Sequence, residues 1–151
     1  MNLNQVTVGA ASMDSFELTV GECDSVDRFL AERIYEFNVQ ATSYADGESF
    51  AAVKRDPSGT IVAGVSGYTW GGCCHVSHLW VSEALRARGL GRALLLAAEA
   101  HATDRGCKII LLSSHSFQSP AFYEGLDYVR QASIADHPVG HENIFLAKRL
   151  A

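Results

Sequence analysis

The stretch Leu79–Arg92, LWVSEALRARGLGR, decides how the rest of the chain is organised. Leu79-Trp80-Val81 ends a segment of strand composition, and the alanine- and leucine-rich sequence after Arg92 predicts a long helix. Gly89 and Gly91 lie at the start of that helix, where backbone N–H groups lack partners and a ligand can approach closely. Such a turn favours an anion, for example a phosphate. The glycines alone are equally compatible with an ordinary strand-to-helix turn.

The spacing of the glycines excludes two common phosphate-binding motifs. A dinucleotide fold requires G-x-G-x-x-G, but the last position is Leu94. A P-loop requires Gly-Lys-Ser or Gly-Lys-Thr, and the chain contains neither. The pattern that remains is Arg86-x-x-Gly89-x-Gly91, with two further arginines, Arg88 and Arg92, adding positive charge.

Composition and charge exclude several classes of protein. The 151 residues suit one domain with a core, and the net charge of -5 is unlike the basic face of nucleic-acid-binding proteins. There is no apolar run of the roughly 20 residues that a membrane helix needs. No secretion signal is recognisable, so we expect a cytoplasmic location. The four cysteines form no C-x-x-C pair, and strand alternation in the run from Cys73 to His78 argues against a metal site.

Hydrophobic periodicity and turn residues predict an alternation of strands and helices. After a loose leader over residues 1–15, strand, helix and two hairpin strands follow, with a turn at Asp56-Pro57-Ser58-Gly59. The strand that ends at Val81 is followed by a helix and then by a buried strand at 108–113. This order predicts that the two strands pair in parallel through a right-handed crossover. The strands are expected at 16–20, 50–54, 61–70, 74–81, 108–113, 128–132 and 143–148, and the helices after Asp24, at about 89–105 and from Pro120.

The Arg86-x-x-Gly89-x-Gly91 pattern resembles the Q/R-x-x-G-x-G/A signature of the GNAT acetyltransferase superfamily. Its flanks, Leu-Trp-Val upstream and Phe-Tyr-Glu-Gly-Leu-Asp-Tyr at 122–128, fit the same family. The segments Phe-Gln-Ser-Pro-Ala-Phe-Tyr at 117–123 and Pro-Val-Gly-His at 138–141 resemble a branch of small, single-domain bacterial members. The resemblance covers residues 16–151 as one N-acetyltransferase domain. It implies an α/β fold with a mixed, mostly antiparallel seven-stranded sheet, helices on both faces, and parallel, splayed fourth and fifth strands.

The resemblance further implies that acetyl-CoA is the cosubstrate. The residues expected to bind it are the end of the fourth strand, the glycine turn and the segment after the fifth strand: Leu79, Trp80, Val81, Arg86, Ala87, Arg88, Gly89, Leu90, Gly91, Arg92, Ser116 and Phe117. Many family members have asparagine where this chain has Ser116, which makes the contacts at that position less secure.

Two residues are candidates for proton transfer. Tyr123 occupies the position of the family's tyrosine, and a phenol with a pKa near 10 can protonate a departing thiolate. The alternative is that Tyr123 is a core aromatic residue. His75 is a candidate base because it is an even number of residues from Leu79 and would share its face, whereas His78 would point away. A structural role for His75 is the alternative, and the amine can also lose its proton through water.

The substrate pocket is expected among residues on several loops and element ends: Asn38, Trp70, Gln118 and His141. The resemblance implies transfer of an acetyl group to a primary amine of a small molecule by direct attack, since no cysteine matches a family nucleophile. The alternative is a non-catalytic acyl-CoA-binding sensor or subunit with the same fold. Neither nucleic acid, membrane nor metal is an expected partner, and relatives often form homodimers.

Overall fold

A computed structural model describes residues 6–8, 16–18 and 20–151 of the chain. These residues belong to two compact units, an N-terminal one that ends at Ser43 and a C-terminal one that comprises Tyr44–Ala151. None of the helices within the described ranges is both long and apolar enough to cross a membrane.

The N-terminal unit contains a short antiparallel pair of strands and one long helix. Strand β1 (Val6–Val8) pairs with β2 (Phe16–Leu18), and helix α1 follows at Asp24–Thr42. The prediction of a loose leader over residues 1–15 is therefore wrong at β1, and its remaining residues lie outside the described ones. The predicted first strand exists, but it pairs with β1 in a separate two-stranded sheet.

The C-terminal unit is built on a six-stranded sheet with the order β3-β4-β5-β6-β8-β7. The prediction of seven strands in one sheet is wrong by one, because β2 pairs with β1 instead. The elements are β3 (Glu48–Arg55), β4 (Ile61–Trp70), β5 (Cys73–Val81), α2 (Leu90–Asp104), β6 (Ile109–His115), α3 (Pro120–Glu124), β7 (Val129–Ala135) and β8 (Glu142–Arg149).

The β5–β6 pair is the parallel pair of this sheet, while the other four neighbouring pairs are antiparallel. Pairing runs from Cys73–Ile109 to His75–Leu111 and then stops, although β5 continues to Val81 and β6 to His115. The predicted parallel and splayed arrangement is confirmed. Beyond His75 and Leu111 the two strands no longer pair with each other along their facing edges.

A β-bulge in β5 changes which side chains share a face of the sheet. Ser66 pairs with His78 and Gly67 with Val76, so Ser77 is an extra residue in β5. Gly67 is required there, because a β-carbon at this position would overlap the carbonyl oxygen of His75. The bulge reverses the alternation of side chains along β5 beyond Ser77.

The core lies between α2 and the sheet. The helix places Leu95, Ala98 and Ala102 against it, with 0–1% of each residue exposed. The α2 sequence follows the spacing of an amphipathic helix, in which residues three and four apart share a face. At the edge of this core, the Glu99 carboxylate accepts hydrogen bonds from the Tyr128 hydroxyl at 3.1 Å and from Lys148 Nζ at 2.9 Å.

Candidate active site

A cavity of about 790 Å³ opens beside the separating ends of β5 and β6. Its walls come from the end of β5, the turn and first residues of α2, the end of β6, and α3. The lining residues are Ser77, His78, Leu79, Trp80, Val81, Leu85, Arg86, Ala87, Gly89, Leu90, Gly91, Arg92, Ser113, Ser114, Phe117, Gln118, Ser119, Phe122 and Tyr123.

The turn before α2 presents backbone amides to this cavity. Gly89 is the N-cap of α2 with φ +79°, a left-handed conformation that glycine adopts without strain. Ala93 N–H donates to the Gly89 carbonyl at 3.0 Å, which closes the first helical turn. The N–H groups of Leu90, Gly91 and Arg92 precede that bond and have no acceptor within the helix. The turn is therefore suited to a phosphate.

The side chain of Arg86 is fixed to the end of β5. Its Nε donates to the Val81 carbonyl oxygen at 3.1 Å, and both residues line the cavity. This bond satisfies a strand carbonyl and holds a guanidinium beside the amides of the turn. Arg92 also lines the cavity, so two cations lie where the anion is expected.

Tyr123 lies on α3 and lines the cavity. Its ring packs edge-on against Phe122 at 5.0 Å and Tyr128 at 6.0 Å between ring centroids. Burial raises the pKa of the Tyr123 phenol above its ordinary value near 10. The hydroxyl is therefore protonated at neutral pH.

The two histidines of β5 lie on the same face of the sheet, which corrects the prediction that His78 points away from His75. His75 stacks on Tyr68 with 5.1 Å between ring centroids, and Ser66 Oγ is 3.3 Å from His78 Nδ1. Tyr68 and Ser66 are two apart in β4 and share a face, and the bulge at Ser77 brings both histidines to it. Leu79, which pairs with buried Val65, lies on the opposite face from His75.

His78 lines the cavity and His75 does not. Burial lowers the pKa of His75, and its neighbour His78 lowers it further. His75 is therefore predominantly neutral near pH 7, in contact with Tyr68, and away from the cavity wall.

None of the four cysteines lines the cavity. Burial raises the pKa of Cys74 to about 12 and raises the pKa of Cys107, so both are protonated thiols at neutral pH. Within the described residues, no three histidine, cysteine, aspartate or glutamate side chains are arranged to hold a metal ion.

Most residues predicted to bind the cofactor line this one cavity, namely Leu79, Trp80, Val81, Arg86, Ala87, Gly89, Leu90, Gly91, Arg92 and Phe117. Arg88 and Ser116 do not. Ser116 Oγ instead accepts a hydrogen bond from Glu142 N–H at 3.1 Å, and its own N–H donates to the Glu142 carbonyl at 2.8 Å. The hydroxyl therefore helps to join the end of β6 to the start of β8.

The four residues predicted to recognise substrate are in different places. Gln118 lines the cavity, and His141 is in edge-on contact with Phe117, which also lines it. Trp70 is outside the cavity wall, and its indole N–H donates to the Tyr44 carbonyl at 3.0 Å. Asn38 belongs to α1 in the N-terminal unit, where its carbonyl accepts from Thr42 Oγ1.

Sequence reasoning missed several residues of the cavity wall: Ser77, His78, Leu85, Ser113, Ser114, Ser119 and Phe122. His78 was missed because simple alternation ignores the bulge. Gly67 in the middle of β4 is the one signal that could have revealed it, since glycine inside a strand often marks a bulge.

A family model confirms the resemblance. The model described as Acetyltransferase (GNAT) family matches residues 13–128. This match extends over parts of both units and includes the turn before α2 and Tyr123.

Similar proteins agree with this assignment. A blasticidin-S acetyltransferase from Streptomyces morookaense is 35% identical over 104 residues, which cover 68% of this chain and 76% of that protein. The crystal structure of an acetyltransferase from Bacillus cereus matches with a TM-score of 0.74 and 32% identity, over 88% of this chain and 96% of the other. The structure of an Agrobacterium tumefaciens acetyltransferase matches with a TM-score of 0.81 and 23% identity, over 91% and 99% of the two chains, and shows the same fold. The chain belongs to the GNAT family of acetyltransferases.

Proposed function

We propose that the protein transfers an acetyl group from acetyl-CoA to a primary amine of a small molecule, by direct attack of the amine on the thioester. The observation that carries this proposal is the continuity of one cavity. The same cavity is lined by the amides before Ala93, by the separating edges of β5 and β6, and by the Tyr123 side chain.

The residues of the cavity fit acetyl-CoA, which supplies an activated acetyl thioester when it is bound. Leu90, Gly91 and Arg92 would hold the pyrophosphate through backbone N–H groups, with the Arg86 side chain beside them. The edge of β5 from Leu79 to Val81 is unpaired on the β6 side and would bind the amides of the pantetheine arm as an added strand does.

Tyr123 would act as the general acid. Its pKa is raised by burial, so the hydroxyl carries its proton at neutral pH and can give it to a thiolate. This proton would enter the cavity from the side that α3 forms, since Tyr123 is part of the cavity wall.

His78 is better placed than His75 to take the proton of the amine. It lines the cavity, and Ser66 Oγ lies near its Nδ1 and orients the ring. Histidine is the side chain that most often serves as a general base in enzymes. We therefore transfer the proposed role of base from His75 to His78, with Ser66 as a positioning residue.

The direct route is supported by the cysteines, since no thiol lies in the cavity wall. The substrate class is supported by the Streptomyces relative, which is a blasticidin-S acetyltransferase. Gln118 would contact the acceptor from the cavity wall.

The experiment is to measure the release of free thiol from acetyl-CoA in the presence of a panel of primary amines and amine-containing antibiotics, with mass spectrometry of the products. The proposal expects amine-dependent release and an acetylated amine. Binding of acetyl-CoA without release for any amine would instead support the non-catalytic binding module.

A further inference from the structure

Four aromatic rings form a chain of contacts beside the cavity, two from the end of β6 and the residues after it and two from the loop between β7 and β8. His115 and Phe117 are stacked, with 5.2 Å between centroids and 12° between planes. His137 meets His115 edge-on at 5.5 Å, and His141 meets Phe117 edge-on at 4.9 Å. We refer to these residues, His115, Phe117, His137 and His141, as the ring cluster.

We propose that the ring cluster is the recognition surface for the acceptor and selects amines that carry a planar aromatic ring. This inference rests on the proposed function, because it names the substrate class of that site. The ring cluster reaches the cavity through Phe117, which lines it together with Gln118 and Tyr123. An acceptor ring packed on Phe117 would therefore lie in the cavity that contains the proposed general acid.

The rings are held in place before any ligand arrives. Gln118 Oε1 accepts from His115 N–H at 2.9 Å and lies 3.3 Å from His115 Nδ1, which fixes the imidazole. Because Oε1 can only accept, Nδ1 is the nitrogen that carries a proton in this pair. The His115 imidazole therefore has little conformational freedom left for a ligand to remove, which favours binding.

The loop between β7 and β8 carries the other two imidazoles and is closed by its own hydrogen bonds. His137 N–H donates to the His141 carbonyl at 3.3 Å, and His141 N–H donates to the Pro138 carbonyl at 2.9 Å. Gly140 N–H donates to Asp136 Oδ1 at 3.1 Å. These bonds fix the backbone from which the His137 and His141 side chains extend to His115 and Phe117.

The exposed ring surface and the charges of the loop favour a flat ring over an anion. Phe117 is 56% exposed although it lines the cavity, so one of its surfaces has no protein partner. The loop segment 136–142 contains two carboxylates and neither lysine nor arginine. An anionic acceptor would find no permanent cation there, whereas an aromatic ring gains stacked or edge-on contacts with the rings present.

The test compares two primary amines that differ only in the ring, 2-phenylethylamine and 2-cyclohexylethylamine. Their dissociation constants are measured by NMR titration of the protein saturated with coenzyme A. We expect the phenyl compound to bind about three- to ten-fold more tightly, the range for one aromatic pair beyond simple burial. The His115 ring protons are also expected to shift with the phenyl compound.

Variants of the β7–β8 loop test whether the preference for the phenyl compound comes from the ring cluster. His137→Leu and His141→Leu are expected to reduce the ratio of the two dissociation constants towards one. Val139→Leu, in the same loop and at an 86% exposed position, is the matched control and should keep the parental ratio.

Equal affinity for the two amines, or no binding of either, would overturn the inference about the ring cluster. Thiol release from acetyl-CoA across the amine panel decides the proposed function separately. Release with no preference for the aromatic ring would leave the acetyltransferase function intact and reject this inference alone.

Discussion

Gly67 on β4 lies against the carbonyl oxygen of His75 on β5, with no room between them for a side chain. This close approach accompanies the bulge at Ser77, which gives His78 its place in the cavity wall. One glycine thus links the packing of the sheet to the geometry of the site.

We expect Gly67→Ala to destabilise the protein by about 1–3 kcal/mol, because a β-carbon there forces the backbone of β5 to move. Thermal or urea unfolding measures the change. Gly125→Ala is the control, since its β-carbon would be in ordinary contact at 3.4–3.5 Å from α3 carbonyl oxygens. Equal stability of Gly67→Ala and the parental protein would show that the bulge does not depend on this glycine.

Gly91→Val is expected to weaken coenzyme A binding about ten-fold or more, because its methyl groups would extend from the turn where the pyrophosphate must approach the backbone. Calorimetry gives the affinity. Gly91→Ala is the matched control, since its β-carbon would be 3.5 Å from Phe122 and 3.9 Å from Val81, which is normal contact. Gly89 is less suitable, because φ +79° strains any replacement. Unchanged affinity in a folded Gly91→Val protein would contradict the phosphate site.

Tyr123→Phe is expected to lower kcat by about 10²–10⁴-fold while acetyl-CoA affinity changes little. The phenyl ring keeps the contacts with Phe122 and Tyr128, so the substitution removes only the hydroxyl group and the proton it can donate. Steady-state kinetics and a binding titration separate the two effects. A variant that acetylates a confirmed substrate at nearly the parental rate would leave Tyr123 as a packing residue.

The pH dependence of kcat provides an independent test of Tyr123. A general acid must be protonated, so activity falls as pH rises through its pKa. Because burial raises that pKa, the fall is expected above pH 10. The residual activity of Tyr123→Phe should lack this alkaline fall over the pH range in which both proteins stay folded by circular dichroism.

His78→Gln is expected to reduce kcat/KM for the amine by about 10²-fold, the lower end of the range for a lost general base. His75→Gln is the matched control on the same face of β5, outside the cavity wall, and should retain most of the activity. Activity lost in His75→Gln and kept in His78→Gln would restore the role of base to His75.

Glu99→Ala is expected to destabilise the protein by about 2–3 kcal/mol, since it leaves Tyr128 and the Lys148 ammonium without their acceptor. The Glu99 and Lys148 side chains are 13% and 21% exposed, so the cost is less than for a fully buried pair. Lys148→Met in the Glu99→Ala background should recover part of the loss. The free energy of unfolding is measured for Glu99→Ala, Lys148→Met and the double variant. If the effects of the two single substitutions simply add in the double variant, Glu99 and Lys148 do not stabilise each other.

The turn before α2 shows how much the sequence predicts. Arginine and glycine spacing predicted the turn at the start of α2, where Gly89 is the left-handed N-cap, because the motif depends on local backbone conformation that a few consecutive residues determine. The parallel pairing of β5 and β6 also followed, since a helix between two adjacent strands returns the chain to the end of the sheet at which the first strand began.

The orientation of His75 and the partner of β2 could not be predicted in the same way. Side-chain alternation assumes a regular strand, and the bulge at Ser77 depends on tertiary packing around Gly67. Strand β2 has the pattern of a sheet strand, but pattern alone does not specify whether β1 or the main sheet pairs with it. Likewise, the contacts of His137 with His115 and of His141 with Phe117 join positions that are distant in the sequence.

The short pairing between β5 and β6 makes the sheet weakest at its centre. Among the described residues, strand pairing between the β3-β4-β5 half and the β6-β8-β7 half consists of Cys73–Ile109, Cys74–Ile110 and His75–Leu111, and a hydrogen bond from Lys108 N–H to the Gly72 carbonyl lies next to it. A cofactor bound between the two halves would act as a reversible cross-link and slow amide hydrogen exchange in both. The lifetime of the folded protein in a cell would then rise and fall with the supply of that cofactor.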